Sequence, residues 1–215
     1  MVYFTKKQME LVKMDFDEYK YRVDYYLAND NREENYQNRV VIPLFESIFA
    51  YRYDVIDVSQ LTKEWDNRGI CRDRFAGIHT PDILVAKKWT LYKDDKSNVD
   101  YKIILEIKTP TAEDRDHAER EVEEYLSKKT PVILTDCVSW EFYDGDEMEM
   151  VCLEENHSIL HISRNKRYRK QMKLQSCTYE FPVDICSGRK IKTIKWTTDE
   201  SVWKELINKI YELTK

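Results

Sequence analysis

Val12, Phe16, Tyr19, Val23 and Tyr26 recur at spacings of four and three residues. That is the period of an amphipathic helix, predicted here from about Lys6 to Ala28. The stripe is too short for a coiled-coil seam, so it reads as packing against a core. Asn29-Asp30-Asn31 supplies stop and cap chemistry, and a second helix follows from about Arg32 with Tyr36, Val40, Leu44, Phe45 and Ile48 inward. Pro43 should kink that helix or divide it, because proline lacks the N–H the ladder needs.

The period then changes from helical to strand-like. Tyr53 to Val58 predicts a short strand, and Thr62 to Thr80 is polar and reads as loop. Ile83 to Ala86 and Ile103 to Leu105 are β-branched runs separated by Asp94-Asp95-Lys96-Ser97-Asn98, which predicts an antiparallel hairpin. Thr111 with Asp114 approximates a cap for a helix carrying Ala118, Val122, Tyr125 and Leu126 inward. Pro131 to Thr135 predicts a further strand. Val138 to Tyr143 and Met148 to Leu153 flank a Tyr-Asp-Gly-Asp turn and form a second hairpin. Thr197-x-x-Glu200 reads as a capping box for a terminal helix bearing Val202, Trp203, Leu206, Ile207, Ile210 and Leu213. Helices before, within and after a run of strands imply an α/β fold with a mixed central sheet flanked by helices.

Composition narrows the class. At 215 residues with 42% apolar and 35% charged side chains, the chain has enough apolar mass for a packed core and is not a disordered polymer. No apolar run approaches the ~18 residues of a membrane span, and the first residues do not read as a secretory signal. Five cysteines, Cys71, Cys137, Cys152, Cys177 and Cys186, include no C-x-x-C pair. Reduced thiols, a cytoplasmic location and no zinc are the expectation.

The net charge of −5 conceals an asymmetry. Ser163 to Trp196 holds ten basic and two acidic residues, whereas Met1 to Ile162 carries a net of −12. Arg164, Lys166, Arg167, Arg169 and Lys170 surround Tyr168, and Lys190, Lys192 and Lys195 continue the charge. Such a stretch suits phosphate contact and base stacking, although a solvated surface would have the same composition. Arg68, Arg72 and Arg74 form a second basic group. Of His79, His117, His157 and His161 only the His157-x-x-x-His161 pair has ligand spacing, in a segment that reads as strand or loop, so all four read as surface residues.

Asp82 heads one predicted strand, while Glu106 and Lys108 close the next. Strand side chains alternate, so Glu106 and Lys108 share a face that Ile107 does not, and hairpin pairing sets Asp82 beside Glu106. Two carboxylates repel unless a cation lies between them, and hard oxygen ligands suit Mg²⁺ or Mn²⁺. The Ile107 carbonyl could add a third oxygen, and Lys108 could orient a water. A plainer arrangement is also open: a Glu106–Lys108 ion pair at a sheet rim, with Asp82 capping the turn after Pro81.

Pro81-Asp82, followed 24 residues after the aspartate by Glu106-Ile107-Lys108, resembles the PD-(D/E)XK motif of restriction-endonuclease-like nucleases. The resemblance spans about Arg32 to Tyr143 and is nearest to the N-terminal nuclease region of type I restriction-enzyme R subunits. It implies an α-β-β-β-α-β core, a divalent cation (Mg²⁺ or Mn²⁺) on Asp82 and Glu106, and Lys108 assisting the attacking water. Glu34, ahead of Val41-Ile42-Pro43-Leu44-Phe45, looks like the family's accessory acid. Glu121, four residues before Tyr125, stands where the family often has glutamine.

The implied organisation is an N-terminal helix (1–30), a nuclease-like core (31–153) and a basic extension ending in a helix (154–215). The implied activity is metal-dependent endonucleolytic hydrolysis of DNA phosphodiesters, with the basic residues holding the strand and a homodimer allowed. The alternatives are a catalytically inactive module of the same fold that binds nucleic acid or protein, and an RNA nuclease.

Overall fold

The first apolar stripe forms helix α1 (Phe16–Asn29), capped by Asp15, whose carboxylate accepts the Glu18 N–H at 2.8 Å. Phe16, Tyr19, Val23 and Leu27 are buried and Tyr26 only half so. The computed structural model describes residues 13–49, 52–59, 79–89, 99–110, 115–155, 160–163 and 194–215. The expected first turns of this helix, including Val12, lie outside the described residues.

The second helical stretch does not break at Pro43. Helix α2 (Glu33–Tyr36) runs through a π turn at Gln37–Val41 into helix α3 (Ile42–Phe49). Pro43 has no N–H for the Arg39 carbonyl four residues back. That carbonyl instead accepts from the Arg22 guanidinium of α1 at 2.8 Å. One residue earlier the ladder has already widened, with the Ile42 N–H donating to the Gln37 carbonyl. The proline's lost donor is thus absorbed by a wider turn and a neighbouring side chain.

Among the described residues seven strands form one sheet in sequence order: β1 (Asp54–Asp57), β2 (Ile83–Lys87), β3 (Asp100–Ile107), β4 (Val132–Thr135), β5 (Ser139–Asp144), β6 (Glu147–Cys152) and β7 (Leu160–Ser163). Neighbours pair antiparallel except β3 and β4, which run parallel. A parallel pair needs a crossover, and helix α4 (Arg115–Leu126) provides it. Ala118, Val122 and Tyr125 are its buried positions. The β5–β6 hairpin turns on Gly145 at φ +58°, the left-handed value its first loop position demands.

Helix α5 (Glu200–Glu212) begins two residues later than the Thr197 box would place it. Asp199 is the cap and accepts the Ser201 N–H, while Thr197 Oγ1 accepts the Asp199 N–H. Trp203 of α5 stacks on Phe16 of α1 at 5.1 Å, and Trp140 of β5 lies against Phe45 and Tyr19. Lys209 of α5 is buried and pairs with Glu149 of β6. Side chains from all three sequence stretches enter one buried cluster, so the ends of the chain complete the core rather than hang from it. Among the described residues no helix is long and apolar enough to cross a membrane. Cys137 and Cys152 are buried and not joined in a disulfide. The fold is α/β, a mixed sheet with helices against it.

Candidate active site

The β2–β3 register sets Ile83 opposite Leu105, so Asp82, one residue earlier, comes level with Glu106 on the same face. The Asp82 N–H donates to the Leu105 carbonyl at 3.1 Å, and Asp82 Oδ2 accepts the Ile107 N–H at 2.7 Å. Ile107 therefore meets Asp82 through its amide, whereas the sequence assigned its carbonyl a role. The Asp82 carbonyl is held in turn by the Val58 N–H at 3.0 Å and the Gln37 amide at 3.2 Å. Gln37 sits in the π turn and is buried, so the widened helix ties directly to the strand end that carries the aspartate.

Glu106 is 4% exposed and uses both oxygens. Oε1 accepts from Lys108 Nζ at 2.7 Å and Oε2 from the Tyr125 hydroxyl of α4 at 3.1 Å. Lys108 Nζ also lies 3.7 Å from Glu33 and 4.0 Å from Glu121 Oε2. The three residues singled out by motif do converge, and two further acids join them. The Glu106–Lys108 ion pair of the plainer arrangement is present as well, but buried rather than at a rim.

Electrostatics follow from this crowding. Burial, opposed by the Ile107 N–H and reinforced by the Glu33 charge, pushes the Asp82 carboxyl up to about 7. Burial and then the Asp82 charge hold Glu106 well above the usual carboxylate range, against the pull of Lys108. Burial works against the Lys108 charge, but Glu106 and Glu33 outweigh it and keep the amine above its ordinary value. Lys108 is thus a fixed cation, not a base.

The first helix contributes Glu33 rather than Glu34. Glu33 reaches Lys108, while Glu34 is exposed. The i,i+4 spacing of Glu33 and Gln37, which places both on one helix face, is the signal that would have found the pair. Helix α4 also faces the site despite Glu121 standing in place of glutamine. Glu121 is 12% exposed; its Oε1 lies 3.2 Å from His117 Nδ1, and its Oε2 is buried without a hydrogen-bond partner. His79 pairs with Glu124 on the same helix at 2.9 Å, so both histidines hold glutamates of α4.

Glu106, Glu33 and Glu121 lie within 4.0 Å of the Lys108 ammonium, and Asp82 stands level with Glu106 on the neighbouring strand. This donor set is all hard oxygen, and its chemistry fits Mg²⁺ or Mn²⁺ better than zinc. Among the described residues, however, no three His, Cys, Asp or Glu side chains stand at coordination spacing. The basic residues Arg164, Lys166, Arg167, Arg169, Lys170, Lys190 and Lys192, and Arg68, Arg72 and Arg74, lie outside the described residues. Lys195 is described and exposed. No family model matches the chain, and no curated protein or solved structure matches it either.

Proposed function

We propose that the chain is a divalent-metal-dependent nuclease that hydrolyses DNA phosphodiester bonds on a restriction-endonuclease-like core. The observation that carries this reading is the meeting of Asp82, Glu106 and Lys108 from adjacent strands, with Glu33 and Glu121 brought in by two helices. The helix, three strands, parallel crossover and fourth strand from Glu33 to Thr135 follow the α-β-β-β-α-β order that the motif implies.

Asp82 and Glu106 would hold the cation, which when bound polarises a phosphoryl oxygen and lowers the pKa of a water. Lys108 stays protonated and donates, so it orients the attacking water or meets charge building on the phosphoryl oxygens. Glu33 and Glu106 fix where that ammonium points, and Tyr125 holds Glu106 from the far side. The basic stretch around Arg164 to Lys170 and Lys190 to Lys195 would grip the strand through its phosphates.

One observation favours the second reading, a non-catalytic module of the same fold. Glu106 has both oxygens engaged by Lys108 and Tyr125, a closed arrangement stable in its own right. Purified protein incubated with single-stranded, double-stranded and branched DNA and with RNA in Mn²⁺, alongside a chelator control, separates the two. The nuclease reading expects chelator-sensitive cleavage that Lys108→Ala lowers by about 10²–10⁴, with circular dichroism unchanged. Cleavage at the wild-type rate by Lys108→Ala rejects the mechanism. Binding without cleavage by the wild type supports the module.

A further inference from the structure

His79 and His117 meet ring to ring beside the carboxylate cluster, and neither has a part in the chemistry proposed for it. His117 lies on α4, where Glu121 and Glu124 follow at i+4 and i+7 on the same face. His79 belongs to the segment that leads into β2. The two ring centres are 5.9 Å apart, with their planes at 77°. The side chains are 55% and 51% exposed, so a solute reaches both rings.

Both rings are fixed in the same way. His79 Nδ1 lies 2.9 Å from Glu124 Oε2, and the same oxygen accepts the His79 backbone N–H at 3.2 Å. His117 Nδ1 lies 3.2 Å from Glu121 Oε1. An ionised carboxylate only accepts, so the proton of each neutral imidazole sits on Nδ1 and the lone pair on Nε2. Among the described residues neither Nε2 has a hydrogen bond or an ion pair. One ring nitrogen held by a carboxylate and the other offered to solvent is the arrangement of a metal-binding histidine, and here it occurs on two rings in contact.

The spacing agrees with a shared ion. Zinc binds a ring nitrogen at about 2.0–2.1 Å, which sets each ring centre ~3.2 Å from the metal and limits two ring centres to ~6.4 Å. The observed 5.9 Å lies inside that limit. A tetrahedral angle brings the centres to ~5.2 Å, a small approach for two half-exposed side chains. Neutral imidazole suits zinc, whereas Mg²⁺ takes oxygen, so this pair and the carboxylate cluster select different cations. We propose that His79 and His117 together bind one Zn²⁺ ion through their Nε2 atoms, with Glu124 and Glu121 holding the rings from behind. Among the described residues no third His, Cys, Asp or Glu stands at coordination spacing, so the remaining positions on the ion go to water or a solute. The site does not depend on the nuclease reading. Ligand spacing on one helix face could not announce it, because its two residues come from different segments.

The test titrates Zn²⁺ into the full-length chain, ¹⁵N-labelled at histidine, in excess Mg²⁺, and follows the imidazole nitrogen resonances, assigned with the variants below. The Nε2 resonances of His79 and His117 should shift together and saturate at one equivalent, with both Nδ1 atoms still protonated. Mg²⁺ alone should leave them in place. His79→Gln and His117→Gln should each weaken zinc binding, read at the remaining ring, at least tenfold. Glu124→Gln keeps both ligands but loosens the hold on His79 Nδ1, and should weaken binding about tenfold. Asp82→Asn should leave zinc affinity unchanged. A ring pair that merely ties the segment before β2 to α4 would alter melting temperature in the histidine variants and give no coupled Nε2 shift. No saturable Nε2 shift in the wild type, a shift at only one of the two rings, undiminished affinity in either histidine variant, or loss of binding in Asp82→Asn overturns the proposal.

Discussion

Replacing Asp82 with asparagine should make the protein more stable at neutral pH, because the native state holds that carboxyl against its ordinary tendency to ionise. Burial is the largest cause, and the group is pushed up to about 7. An unfolded aspartate titrates near ~3.9. Between about pH 4 and pH 7 the native state therefore binds more protons than the unfolded chain, and stability falls as pH rises through that window. A rise of about three units corresponds to ~4 kcal/mol as a ceiling. Water penetration and relaxation around a partly buried carboxyl reduce this to ~2 kcal/mol, or about 4–8 °C in Tm for a chain of this size. The asparagine side chain would still accept the Ile107 N–H, so the variant removes charge with little change of shape. Differential scanning calorimetry of both proteins from about pH 4 to pH 8 should show the variant melting ~4–8 °C higher at the alkaline end. The two should converge at the acid end. The difference between the proteins isolates this carboxyl from the other titrating groups, including Glu106, which is perturbed in the same direction. A difference that does not change with pH, or a variant less stable than wild type near pH 8, refutes the reasoning. In the wild type, saturating Mn²⁺ should raise Tm, by ~2.7 kcal/mol of stability at a hundred times its Kd, and Asp82→Asn should lose most of that gain.

Glu33→Gln should weaken Mn²⁺ binding by about tenfold or more, measured by calorimetric titration, because Glu33 lies within 3.7 Å of Lys108. Glu34→Gln should leave affinity unchanged, since Glu34 is exposed; the reverse order would show that the helix register is wrong. Arg22→Ala should destabilise the fold by about 0.5–1 kcal/mol in a urea titration, because it removes the donor that Pro43 cannot supply to the Arg39 carbonyl and the exposed Glu18 ion pair, both where water makes up part of the loss. Pro43→Ala in the Arg22→Ala background should recover part of that loss by restoring an N–H, and a double variant no more stable than the single one would reject this account.

The sheet around the site shows why strand chemistry was legible and helix chemistry less so. Side-chain alternation is set by the backbone within two residues, so Glu106 and Lys108 could be assigned to one face from spacing alone. Pairing of the Ile83 and Ile103 runs then needed only their apolar character and the polar turn between them. The place of Glu34 rests on resemblance alone, and it is Glu33, one residue earlier, that the fold sets 3.7 Å from Lys108. The Arg22–Arg39 contact that accompanies the π turn joins residues on different helices, so no local pattern announces it. The Thr197 box slipped for a related reason: Thr197 is drawn away by the bond of its N–H to the Leu153 carbonyl, next to the Glu154–Trp196 bridge, and Asp199 takes the cap.

What the sequence determined by itself was the α/β order of elements, the inward faces of the helices and the two strands that bring Asp82, Glu106 and Lys108 together. All of these follow from backbone periodicity and short-range spacing. Tertiary structure alone decided that Glu33 rather than Glu34 joins them, that Tyr125 and Glu121 close the cluster from α4, and that His79 and His117 meet ring to ring. Those outcomes depend on which groups meet across long separations in the chain and on what burial does to their charge, and neither quantity is contained in a local pattern.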